Sequence, residues 1–173
     1  GRIEGMRVAN QWPVPSIRGS WDGAPRVGPK PALSGGMKKI LAAVDGSDAS
    51  MHAVRKALEL SDKLGAEVTL AHVVPHVFVP AEVPFDAGRL AEEAMRAGEM
   101  LLTQAAAELG RPAIARVCLR GGPGEAIAEL AETGDFDLVV VGSKGRGAVS
   151  RVLVGSITDR IVHICKRPVL VVR

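Results

Sequence analysis

The stretch Lys39-Ile40-Leu41-Ala42-Ala43-Val44, running straight into Asp45-Gly46-Ser47-Asp48, decides the fold. A short apolar run with no polar residue inside it to face water fits a strand covered on both faces, the environment of a parallel sheet. The turn that stops it also starts a helix. Ser47, Asp48 or Ser50 can cap, and Met51, Val54, Ala57, Leu58 and Leu64 then recur at helical spacing until Gly65.

Toward the C-terminus the alternation repeats. Residues 67–74 read as a second strand broken by Pro75, and residues 75–86, with Pro75, Pro80 and Pro84, as a long loop. Residues 86–109 are rich in Ala, Leu, Met, Glu and Arg and predict the longest helix, closed by Gly110, with Met95 and Met100 in its core stripe. A third strand over 114–119, a third helix over 125–132, a fourth strand over 137–141, a fourth helix over 150–165 and a fifth strand over 168–172 complete the pattern. Strands separated by helices need right-handed crossovers, so the fold class is α/β: a doubly wound five-stranded parallel sheet with helices on both faces. Such sheets bind ligands beyond the carboxyl ends of their strands, where the winding reverses. The loops after Val44 and Val141 are therefore the places to look for chemistry.

The remaining composition narrows the function classes. A chain of 173 residues with 47% hydrophobic content can bury roughly two thirds of its unfolded surface, which excludes disorder throughout. Cys118 and Cys165 make no disulfide framework and no C-x-x-C pair, which fits a reducing compartment. No apolar run reaches the roughly 18 residues of a membrane helix, and no signal peptide is evident, so a soluble cytoplasmic protein without a membrane partner is expected.

The charge is unevenly placed. Residues 1–36 hold five basic and two acidic side chains, and so carry the whole formal net charge of +3. They also hold both Trp, five Pro and seven Gly without a helical or strand period, which predicts a disordered or loosely docked tail outside the folded domain at 37–173. Gly1 to Gly5 reads as a vector-derived remnant, with Met37 opening the first patterned segment. With the folded part neutral and aromatics at 3%, a nucleic-acid partner is not expected.

The strongest site signal follows the fourth strand: Val141-Gly142-Ser143-Lys144-Gly145-Arg146-Gly147, then Gly155-Ser156-Ile157-Thr158. Bare backbone at Gly142 and Gly145 leaves amides open to an anion, with Lys144, Arg146 and Arg151 adding positive charge and Ser156 a hydroxyl donor. Phosphate is the natural guest. The segment is neither a Walker A loop, since Ala148 follows Gly147, nor a completed dinucleotide fingerprint.

Gly142-x-x-Gly145, nine residues, then Gly155-Ser156 resembles the nucleotide-binding signature of the universal stress protein family, in its ATP-binding branch. The opening from Met37 to Ser47, the Leu70-Ala-His-Val73 strand end, Gly121-x-Pro123-x-x-x-Ile127 and the closing Arg167-Pro-Val-Leu-Val-Val172 resemble it too, in order and spacing. The resemblance covers residues 37–173 and implies strand order 3-2-1-4-5. It places Asp45 near the nucleoside, Val73 against the base, Val141 and Gly142 beside the ribose, and Gly145, Gly155, Ser156 and Ile157 around the phosphates. It further implies an ATP-binding regulatory module in stress response, with Mg²⁺ as phosphate counterion, and a homodimer formed through the C-terminal edge strand.

Two other functions stay open at this point: a slow nucleotide hydrolase or transferase on the same fold, and an interaction module with a vestigial pocket. No general base for hydrolysis stands out, so no catalytic residue is assigned. His72 and His76, four apart on a strand that runs into Pro75, lack the acidic or cysteine neighbour a metal site needs. His163 and Cys165 read as packing or helix-end residues, and no G-x-S-x-G nucleophile elbow is present.

Overall fold

The computed structural model describes residues 36–76, 87–144 and 154–173. Among these residues nine elements run in order: β1 (Lys39–Ala43), α1 (Asp48–Leu64), β2 (Glu67–Val74), α2 (Ala87–Glu108), β3 (Ala115–Arg120), α3 (Pro123–Thr133), β4 (Leu138–Gly142), α4 (Ser156–Ile164) and β5 (Val169–Val172). All sheet pairings are parallel and the order is β3-β2-β1-β4-β5, the doubly wound α/β sheet expected. Met37–Arg173 form one compact unit. The tail at 1–35 and the loop at 77–86 lie outside the described residues.

Burial explains why the central strands are apolar throughout. Ile40, Leu41, Ala42, Val139 and Val140 are fully buried, and successive residues alternate between two cores. Ile40, Ala42, Leu70 and Val140 face α1 and α2, where Val54, Ala57, Leu102 and Ala106 complete one core. Leu41, Ala71, Val73 and Val139 face α3 and α4, meeting Ile127, Ala131 and Ile161. Each large side chain so buried contributes about 1.5–3 kcal/mol of transfer free energy.

Helix ends follow local chemistry. Ser47 caps α1, its Oγ accepting from the Ser50 N–H at 3.2 Å, and Gly65 ends it at φ +69°. α3 begins at Pro123, two residues before the predicted start, because proline at the first helical position loses no hydrogen bond. The predicted fourth helix from 150 is corrected. Val154 is not helical, and Gly155 is the extended N-cap of α4 at φ −63°, ψ 148°, its N–H donating to the Ser143 carbonyl at 2.8 Å instead of joining a helix turn. Met100 is also corrected: it is 62% exposed and outside the core stripe.

Candidate functional site

The chain winds from β1 outward to β2 and β3, then returns to lay β4 on the opposite side of β1. The connections from β1 and β4 therefore diverge, and a crevice opens between their carboxyl ends. A cavity of about 540 Å³ occupies it. Asp45 reaches it from the end of β1, Val73 from β2, Val141 and Gly142 from β4, and Gly155, Ser156 and Ile157 from the start of α4. Gly145, the remaining residue expected there, lies outside the described residues, as do Arg146, Gly147 and Arg151. Lys144 does line the cavity.

Backbone geometry sets what the crevice presents. The Ala71 carbonyl accepts from the Val44 N–H at 2.8 Å and so points toward β1. Polar groups alternate sides along a strand, so the N–H and C=O of Val73 point the same way. The β1–β2 register ends at Ala43 opposite Ala71, which leaves the Val73 groups directed past the last paired residue of β1. Opposite them stands the N-terminus of α4, where Gly155 supplies no side-chain cap. The first amides of a helix lack intrahelical acceptors and carry the positive end of its dipole.

Two hydrogen bonds fix that helix end. Thr158 Oγ1 donates to the Gly142 carbonyl at 2.7 Å in a buried contact, and the Gly155 N–H donates to the Ser143 carbonyl. The start of α4 is thereby tied to the end of β4. Asp45 belongs to the Asp-Gly-Ser turn, where Gly46 adopts φ +79°. Its Oδ1 accepts from the Ser47 N–H at 3.0 Å and the Ser47 hydroxyl at 2.6 Å. Asp45 thus lines the crevice from a constrained turn.

Gly142 has a packing reason for lacking a side chain. A Cβ there would stand 2.8 Å from the carbonyl carbon and oxygen of Ala49 and 2.9 Å from the Ser50 nitrogen, at the first turn of α1. The structure also brings in His72, which sequence reasoning set aside as a non-ligand. Its Nδ1 lies 2.7 Å from the Val44 carbonyl oxygen. The available signal was a polar residue in an otherwise apolar stretch of β2. Cys118 and Cys165 are both free thiols; burial pushes the Cys118 pKa up, aided by the negative charge of Glu99. Among the described residues, no three His, Cys, Asp or Glu side chains gather as metal ligands, and no helix is long and apolar enough to cross a membrane.

Comparison with known proteins matches the universal stress protein family over residues 36–173. A universal stress protein of Methanocaldococcus jannaschii is 35% identical over 141 residues, covering 79% of this chain and 82% of that protein. The solved universal stress protein UspA of Lactobacillus plantarum superposes with a TM-score of 0.70 at 24% identity, covering 80% of this chain and 99% of its own, a likeness of fold. A solved universal stress protein in complex with cAMP gives a TM-score of 0.60 at 25% identity, over 80% of this chain and 99% of that one. Sheet order, the crevice at the strand ends and these matches lead to one conclusion: the chain belongs to the universal stress protein family.

Proposed function

We propose that this protein binds an adenine nucleotide, ATP with Mg²⁺, and acts as a regulatory module whose occupancy sets its conformation or its partner contacts. One observation carries the reading: a single crevice has outward-turned main-chain groups of Val73 on one wall and, on the other, the start of α4, where Gly155 supplies no side-chain cap. Its volume of about 540 Å³ falls within the roughly 300–1,000 Å³ of small-molecule sites. A purine edge offers a donor and an acceptor, which the paired N–H and C=O of Val73 complement. An anion suits the amides of Ser156 and Ile157, supplemented by the Ser156 hydroxyl and by Lys144. Asp45, on the β1 side, suits ribose hydroxyls and would repel phosphates, which sets the nucleotide's direction. Val141 and Gly142 floor the ribose between them, and Gly145 completes the phosphate loop. The cAMP complex of a relative supports this use of the fold.

Binding is favoured over hydrolysis because the Asp45 Oδ1 already accepts two hydrogen bonds from Ser47, an arrangement that holds a turn rather than prepares a base. Mg²⁺ enters with the phosphates as their counterion. We place the nucleotide-binding body at 37–173, with 1–36 as a separate tail, the protein in the cytoplasm, and a second copy on the outer edge of β5.

The test is calorimetric titration of the full chain with Mg-ATP, alongside mass spectrometry of any ligand released on denaturation. The expected result is saturable binding that Gly145→Val weakens while the fold persists. Absence of a carried nucleotide, together with no heat and no thermal shift with Mg-ATP, overturns the reading. Linear phosphate release with time, lost in Asp45→Ala while binding survives, would shift it to a hydrolase.

A further inference from the structure

The C=O of Val44 and the N–H of Asp45 belong to one peptide plane, and side chains grip that plane from both sides. The Asp45 N–H donates to Ser50 Oγ at 3.3 Å, and Ser50 Oγ donates onward to the Ser47 carbonyl at 2.9 Å. On the other side the Val44 carbonyl oxygen lies 2.7 Å from His72 Nδ1. A carbonyl can only accept, so Nδ1 carries the hydrogen and the imidazole is the donor. Val44 lies past Ala43, the last β1 residue in register with β2, so the imidazole continues for one peptide what the ladder no longer provides.

The ring is itself held in place. A Cβ built on Gly98 of α2 would meet His72 Cδ2 at 2.9 Å, Cys118 Sγ at 2.7 Å and Val74 Cγ2 at 3.0 Å. The α2 backbone therefore rests directly on the imidazole, and the ring cannot swing away while α2 is docked. We propose that His72 is a positioning residue for the crevice: its Nδ1–H, backed by Gly98 of α2, sets the Val44–Asp45 peptide and through it the aim of Asp45. The binding consequence rests on the nucleotide reading above. The peptide's orientation does not.

Two substitutions separate the hydrogen bond from the packing. His72→Phe keeps a ring against Gly98 and removes the donor. His72→Asn places an amide nitrogen at the same reach from the backbone as Nδ1, and so keeps the donor while losing the ring. In the full chain, His72→Phe is expected to weaken Mg-ATP binding about tenfold, the scale of one buried carbonyl left without its donor, and to speed amide hydrogen exchange over residues 44–50. His72→Asn is expected to melt at a lower temperature yet to bind and exchange near wild type when assayed well below its Tm.

The proposal is overturned if His72→Phe matches wild type in both affinity and exchange. It is also overturned if His72→Asn loses as much affinity as His72→Phe, since ring packing would then explain both. If wild type binds no nucleotide while exchange over 44–50 still rises only in His72→Phe, the nucleotide reading falls and the positioning role stands.

Discussion

Gly142 shows at the residue scale how one glycine can invite two explanations that make different predictions. In a phosphate-loop reading, its bare backbone leaves room for a ligand. The structure supplies a nearer neighbour, because the first turn of α1 crosses the end of β4 with Ala49 and Ser50 main-chain atoms 2.8–2.9 Å from where a Cβ would sit. Those atoms belong to a capped helix turn and cannot yield as a flexible side chain would. Gly142→Ala is therefore expected to cost about 1–3 kcal/mol of stability in the ligand-free protein, read as a lower urea midpoint with an unchanged slope. An alanine variant as stable as wild type would return the glycine to the ligand. Gly98 is similar: its Cβ would press on three side chains of β2 and β3, so its absence lets α2 lie close to the sheet. His72 completes the residue scale as a polar group whose strand neighbours are apolar, and whose ring meets a carbonyl beyond the end of the ladder.

At the element scale, β1 and β4 are fastened where they begin, at the end of the sheet opposite the crevice. Asp137, just before β4, accepts through Oδ2 from the Lys38 N–H at 2.7 Å and the Lys39 N–H at 2.9 Å, and its own N–H donates to the Lys39 carbonyl at 2.9 Å. The two backbone donors, first that of Lys38, hold its pKa below the ordinary carboxylate value. A carboxyl depressed on folding adds stability above its unfolded pKa, and that contribution is lost as pH falls through the folded value. Asp137→Asn should thus melt below wild type at neutral pH, with the gap closing as pH drops below about 4. A gap that stays constant across that range would show that charge is not involved. Element boundaries were legible where local chemistry sets them. Gly65 and Pro75 bracket β2, and Ser47 and Gly65 bracket α1, all within a few residues of the ends they define. The start of α4 was not legible, because the Gly155 N–H is taken by the Ser143 carbonyl just past β4, a contact no local pattern encodes. For the site, the rule of strand ends in a doubly wound sheet pointed to the loops after Val44 and Val141. The Gly142 packing and the His72 contact each needed two distant elements to be in place first.

At the scale of the whole molecule, the question is what an open parallel sheet does with its edges. Among the described residues β3 and β5 each pair with one strand. β3 carries Arg116 and Arg120, charges that discourage further pairing, whereas Val169–Val172 of β5 carry none and are all half-buried. The direction of the β5 polar groups can be worked out from its hydrogen bonds. The Pro168 carbonyl accepts from the Val139 N–H at 2.9 Å, and the Val172 carbonyl accepts from the Ser143 N–H at 2.7 Å. Residues 168, 170 and 172 therefore turn their polar groups toward β4, and by alternation Val169 and Val171 turn theirs outward. A second copy related by a two-fold axis would meet this edge antiparallel, each β5 serving the other. Val171→Pro removes an outward N–H without removing a bond to β4, and proline is tolerated on an edge strand. It is expected to convert a dimer into a folded monomer by light scattering. Leu170→Pro, which strikes the inward ladder, is expected to lower the melting temperature instead. A Val171→Pro protein that keeps both its fold and its dimeric mass would move the interface away from β5, because no pairing through that edge could survive the loss of its central donor unchanged.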